Sequence, residues 1–233
     1  MTVTSTTVPD DAIVATDLHG RPDHLARIRA AFPDRHLLLL GDYVGRGPDA
    51  PALLAALRRE VRARTATLLL GNHDQMFIKA FHNPGRIPPW WAQWIEPVCV
   101  QYEQWAVPPQ QDAAWLSEHT AHWAHTADGR TYFSHAAPHD PHDPDGRYSM
   151  MPAHLWATPH REVRHPLGAA VTHAVHGHTP THLITGGRAG RPLIWQDPEG
   201  RQVTYLDLAG PDSDLVAVLD LTSGQTRVLR AAP

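Results

Sequence analysis

The segment His36-Leu37-Leu38-Leu39-Leu40-Gly41-Asp42-Tyr43-Val44-Gly45-Arg46-Gly47 holds the pattern from which the architecture follows. A short apolar run stops at a small polar cluster. Asp49 or Ala50 then opens a helix that carries Leu53, Leu54, Leu57 and Val61 on one face. The same pattern occurs on either side. Ala12 to Thr16 runs into Asp17-Leu18-His19-Gly20, and Pro22 then suits a helix start, where its missing N–H costs nothing. Thr67 to Leu70 runs into Gly71-Asn72-His73-Asp74, with Met76, Phe77 and Ala80 continuing at helical spacing. Short, continuously apolar strands alternating with amphipathic helices imply an α/β protein with a parallel sheet covered on both faces. Ligands of such sheets bind at the carboxyl ends of the strands, where all three polar clusters fall.

The 233 residues suffice for one domain spanning 1–233 with a substantial core. Hydrophobic residues make up 42% and charged residues 19%, which argues for a globular chain. A net charge of -4 speaks against a stable nucleic-acid complex or an anionic-membrane binder. One cysteine, Cys99, allows no intrachain disulfide and reads as a small buried residue. The first eleven residues hold no basic segment and no apolar run, and no stretch is apolar enough to span a bilayer. A cytoplasmic location is therefore expected. The unusual number is 18 histidines, the commonest metal ligands.

Residues 83–125 break the pattern with most of the tryptophans and six prolines, and read as a helical, Trp-rich cap inserted into the domain. Asp128-Gly129 is a turn before a strand, Thr131 to Ser134, that ends in His135. A proline-rich loop runs from Pro138 to about Pro152, and Val171 to Val175 is a further strand ending in His176-Gly177-His178. The tail reads as antiparallel β, with Leu193 to Trp195 and Gln202 to Leu208 about one turn and Leu215 to Leu221 and Thr226 to Leu229 about another.

Five strand ends thus carry metal-ligand types: Asp17 with His19, Asp42, Asn72 with His73, His135, and His178. Residues two apart on a strand point the same way, so Asp17 and His19 can aim at one ion if the backbone stays extended. A carboxylate such as Asp42 can bridge two ions. The mixed N/O donor set suits Mn, Fe or Zn better than Ca or Mg. Two ions about 3.5–4 Å apart activate a water and neutralise both oxygens of an in-line displacement, which is phosphoester chemistry.

The ordered motifs Asp17-Leu18-His19-Gly20, Gly41-Asp42-Tyr43-Val44-Gly45-Arg46-Gly47, Gly71-Asn72-His73-Asp74, Ser134-His135-Ala136 and Gly177-His178-Thr179-Pro180 resemble those of the phosphoprotein phosphatase branch of the calcineurin-like metallophosphoesterases. Leu206-Asp207-Leu208-Ala209-Gly210 is similar to the C-terminal part of its bacterial members. The resemblance implies a four-layer αββα sandwich and phosphoester hydrolysis by metal-bound hydroxide at a site of two divalent ions, Mn2+ foremost. Carried over by position, Asp17 and His19 hold one ion, Asp42 bridges, and Asn72, His135 and His178 hold the other. His73 is then the general acid or a phosphate contact, with Asn72 beside the substrate, and Arg46 clamps phosphate oxygens. The implied substrate is a phosphorylated protein or a nucleotide, including symmetrical bis(5'-nucleosyl)-tetraphosphates.

One position departs from the family pattern. Where the family has a carboxylate that orients the acid histidine, this chain has Gly45. His73 should be a less well-placed acid with a lower pKa. Asp74 is a candidate replacement, and a weakly active phosphoester-binding protein is the alternative of another class. A second phosphate-binding arginine would have to come from Arg147, Arg161 or Arg164. His119, His122 and His125 read as one solvated helix face, His139 to Asp145 as a surface loop, and His176 as a core or supporting residue. The cap tryptophans either pack the cap or stack a base.

Overall fold

The computed structural model describes residues 4–105, 107–139, 151–159, 167–187, 190–209 and 213–230. The first half runs β1 Ser5–Val8, β2 Ile13–Ala15, α1 Pro22–Ala31, β3 Leu37–Leu39, α2 Ala50–Arg62, β4 Ala66–Leu69 and α3 Asn72–His82. Next come α4 Ala92–Gln101, α5 Pro109–His119, β5 Thr120–Ala121, β6 Trp123–Thr126 and β7 Thr131–Ser134. The rest is α6 Ala153–Trp156, β8 His173–His176, α7 Thr181–Thr185, β9 Leu193–Gln196, β10 Gln202–Tyr205, β11 Leu215–Asp220 and β12 Gln225–Arg230.

Two six-stranded sheets form, ordered β1-β6-β7-β8-β10-β9 and β12-β11-β2-β3-β4-β5. The apolar runs are continuous because each strand serves two cores. Ile13, Ala15, Leu37, Leu39 and Leu68 face a core shared with Leu25 and Ile28 of α1, Leu53, Leu54 and Leu57 of α2, and Phe77 of α3. Their alternates Val14, Leu38 and Leu69 face Phe133, Val175 and Leu206 of the other sheet. This is the two-sheet arrangement flanked by helices, and the period-two alternation of strand side chains generates both interfaces. Asp49 caps α2, its carboxylate accepting from Ala52 N at 3.0 Å.

Three expectations are corrected. The inserted segment is narrower than 83–125, because Thr120–Ala121 pairs with β4 and Trp123–Thr126 pairs with β1 and β7. Helix α5 belongs to the main helix layer, with Ala113, Trp115 and Leu116 in the large core. His119, His122 and His125 do not share a helix face: His119 ends α5, His122 lies buried between two strands, and His125 is on β6. Both hairpins expected in the tail form, β9–β10 joining one sheet and β11–β12 the other. Cys99 is only partly buried, against the small cluster of Met76, Trp91 and Ile95 that seats α4. Most of the loop from 138 to 152, and Arg147, Arg161, Arg164 and Gly210, lie outside the described residues.

Candidate metal centre

The strands β2, β3, β4, β7 and β8 end at Ala15, Leu39, Leu69, Ser134 and His176, and the polar clusters follow at one end of the sandwich. The backbone there is not extended. Six non-glycine residues among those described have positive φ, and four of them are Asp17 (54°), His19 (39°), Asp42 (58°) and His178 (64°). Left-handed backbone is costly for such residues, and its concentration at one place marks a functional site. Asp17 and His19 do converge, but through two left-handed turns rather than through strand alternation.

Asp42 lies at the centre. Its Oδ2 is 3.5 Å from His19 Nε2, which is itself 3.7 Å from Asp17 Oδ1. Its Oδ1 is 3.4 Å from His135 Nε2. His135 Nε2 and His178 Nδ1 each lie 2.9 Å from Asn72 Oδ1. Two donor sets therefore face opposite oxygens of one carboxylate. The supporting contacts suit metal binding. Carbonyl oxygens accept from Nδ1–H of His19 (Val44 O, 3.1 Å) and of His135 (Leu40 O, 2.9 Å), which leaves each Nε2 to act as a ligand. Asp17 Oδ2 accepts from the Thr16 hydroxyl and from His178 N at 3.0 Å.

Electrostatics in the metal-free protein point the same way. Burial opposes ionisation of Asp42, but the imidazoles of His135, His73 and His19 outweigh it and hold the carboxyl well below its usual range. Burial lowers His135, yet the Asp42 carboxylate overrides it and raises the imidazole to about 9. Asp17 is pushed well up, by burial and then by the charge of buried Asp207. Burial, then the neighbouring His135, lowers His178 to about 3. A surplus of packed carboxylates, with a proton held at His135, is what a divalent cation would replace.

His73 sits beside this group, its N–H bonded to Asp42 Oδ1 at 2.9 Å. Its Nδ1 is buried without a hydrogen-bond partner. A Cβ at Gly45 would lie 2.7 Å from that Nδ1, closer than carbon and nitrogen can stand, so a side chain at position 45 would meet this edge of the ring and the imidazole would have to shift to accept it. Burial lowers His73 to about 4. Asp74 does not replace the missing partner. Its carboxylate accepts from the backbone N–H groups of Asp42, Tyr43, Val44 and Gly71 at 2.8–3.2 Å, stapling two loops together. Arg46 is exposed on the loop after Asp42, and its charge acts on both His19 and His73.

Several supporting residues escape a reading of the sequence. Asp74 has a local signal, an acid three residues into a helix that accepts the N-cap amide, Gly71 N. Trp94 has none, because its proximity to the site is purely tertiary; Asp207 lies in a segment that carries the family resemblance, but its charge beside Asp17 is a tertiary fact. His176 is a core residue, its ring against Ser134. His122 Nδ1 lies 2.8 Å from His154 Nε2 inside the protein.

Residues 12–182 match the calcineurin-like phosphoesterase family, and the chain belongs to it, among the phosphoric ester hydrolases. No curated protein is similar to it in sequence. Its fold is similar to that of a structure described as "a putative diadenosine tetraphosphatase", with a TM-score of 0.63, 19% identity and 99% of each chain covered. It is also similar to a serine/threonine phosphatase from Saccharomyces cerevisiae, with a TM-score of 0.60, 14% identity and coverage of 99% of this chain and 84% of that one. A metallophosphoesterase from Sphaerobacter thermophilus gives a TM-score of 0.54 at 16% identity, over 95% of this chain and 87% of the other. Among the described residues, no helix is long and apolar enough to cross a membrane.

Proposed function

We propose that this chain hydrolyses phosphoesters at a dinuclear centre, Asp17, His19 and Asp42 holding one ion and Asp42, Asn72, His135 and His178 the other. The observation that carries the reading is the placement of Asp42, whose two oxygens face two separate donor sets. Mixed carboxylate, imidazole and amide donors favour Mn2+, with Fe or Zn as alternatives. When bound, such a pair supplies an activated water and neutralises charge on the transferred phosphoryl group. The amide oxygen of Asn72 lies 2.9 Å from His135 Nε2 and from His178 Nδ1, which gathers the three donor atoms around one position. Arg46 binds phosphate oxygens from the exposed side. His73, lowered to about 4 by burial, is largely neutral at pH 7 and acts as proton donor to the departing oxygen through its protonated minority.

A nucleotide or dinucleoside polyphosphate is favoured over a phosphoprotein as substrate. Trp90, 45% exposed beside Trp91 and Trp156, offers an aromatic face for a base. The full mutual coverage with the tetraphosphatase-like structure supports the same choice.

The test compares metal-stripped protein with protein reloaded with Mn2+, assayed on an aryl phosphate, phosphopeptides, mononucleotides and dinucleoside polyphosphates. About two ions per chain and Mn2+-dependent turnover are expected. Asp42→Ala should lose roughly a hundredfold or more in kcat. Failure to bind metal, or unchanged turnover in Asp42→Ala, refutes the proposal. Bound metal without turnover of any ester favours the phosphoester-binding protein instead.

A further inference from the structure

Helix α4 brings an aromatic side chain against His73, whose Nδ1 faces Gly45. Trp94 meets the His73 ring edge-on, with centroids 5.3 Å apart and planes at 83°. On its other side His73 meets His19 edge-on, at 4.9 Å and 89°. The recess between Gly45, Val44, His73 and Trp94 is too narrow to seat a water molecule. Among the described residues, no hydrogen bond orients Nδ1 of His73. The ring is therefore held by two aromatic edges, one from the metal centre and one from the insertion.

Trp94 is itself firmly placed. Its neighbours Ile95 and Val98 are buried against Met76 and the main core. At the end of α4, Gln101 Oε1 accepts from Ala50 N at 2.7 Å, and its Nε2 donates to Gly47 O at 2.9 Å. The same helix thus packs against His73 and pins the loop that carries Arg46.

We propose that Trp94 is a positioning residue for His73, the inserted helix α4 supplying by packing the orientation that a carboxylate at position 45 would supply by a hydrogen bond. This rests on the phosphoester-hydrolase reading only for the identity of the reaction. An imidazole displaced by about an ångström loses one to two orders of magnitude in a step that needs its proton. The step in question transfers that proton to the departing ester oxygen as its P–O bond breaks. An aryl oxide leaves without help, whereas an alkoxide does not.

The experiment uses the Mn2+-loaded full chain as wild type, Trp94→Ala and Trp94→Phe, each with its melting curve and metal content recorded. In Trp94→Ala, kcat on an alkyl phosphate should fall about tenfold, with kcat on an activated aryl phosphate and both KM values within about twofold. Trp94→Phe, which keeps a ring edge, should stay within about twofold on both. A readout independent of turnover is the imidazole spectrum of metal-free, 15N-histidine-labelled protein, with His73 assigned by loss of its signal in His73→Gln. The His73 ring resonances should broaden or shift in Trp94→Ala and return in Trp94→Phe. Equal losses on both esters with no rescue by phenylalanine, or His73 resonances unchanged in Trp94→Ala, overturn the proposal. If the wild type turns over neither ester, the hydrolase reading fails while the spectra still decide the role of Trp94.

Discussion

Replacing Gly71 by alanine puts the geometry of Asp42 under a purely steric test. Gly71 has ordinary extended backbone, φ -102° and ψ 170°, so alanine brings no conformational strain there. Its Cβ, however, would stand 2.1 Å from Asp42 Oδ1 and 2.2 Å from Asp42 N. Carbon–oxygen contacts below about 3 Å do not persist, so Asp42 or the start of α3 must move by roughly an ångström. Because Asp42 serves both donor sets, that shift disturbs both halves of the centre. The expected outcome is a loss of about a hundredfold in kcat. Overpacking should also cost about 1–3 kcal/mol of stability, or roughly 2–12 °C in Tm for a chain of this size. Gly85→Ala is the control, since a Cβ there meets nothing within 4 Å. Activity on an aryl phosphate, metal content and calorimetric Tm of the two variants give the comparison. If Gly71→Ala matches Gly85→Ala in all three, the close approach of the two loops is not what positions Asp42.

Further predictions concern protons and metal. Gly45→Asp should raise turnover of an alkyl phosphate more than that of an aryl phosphate, and a gain no larger for the alkyl ester would refute this reasoning. The same substitution should lower stability by about 1–3 kcal/mol, because Gly45 has φ +117°. In metal-free protein His135 is raised to about 9, so it is protonated at neutral pH. Mn2+ binding should release about one proton per chain near pH 7, read by titration calorimetry in two buffers of different ionisation enthalpy. Release of well under half a proton would contradict the charged His135–Asp42 pair. The sign for stability follows: the His135 contribution is full below its unfolded value of 6.5 and fades as pH rises through about 9. His73 and His178, lowered to about 4 and about 3, act oppositely, and their contribution is lost as pH falls below 6.5 toward those values. Denaturant melts of the metal-free protein should therefore weaken toward both ends of the range, and Mn2+ should restore stability above pH 7.

Most of the proposed centre was legible in the chain because its polar clusters follow short apolar runs bounded by turn residues, the pattern of a buried parallel strand. Strand identity, the order of the polar clusters and their common end of the sheet follow from that local pattern. The means of convergence did not. Asp17 and His19 meet through left-handed turns at 54° and 39°, a backbone state that only packing against Gly41, Asp42 and Tyr43 sustains. The histidines at 119, 122 and 125 had helical spacing by coincidence, because a helix end and two strands happen to follow one another there.

The reaction class and the donor types offered at the proposed site are carried by short segments, since donor chemistry and strand ends are local properties. What surrounds His73 is set only when the chain folds. At Gly45 the sequence shows only a missing carboxylate. The fold brings Trp94, 21 residues beyond His73 in the chain, against the imidazole and leaves Nδ1 unbonded. Such contacts are set by how an inserted helix docks, and docking depends on side chains spread over Met76, Ile95, Val98 and Gln101 rather than on any motif.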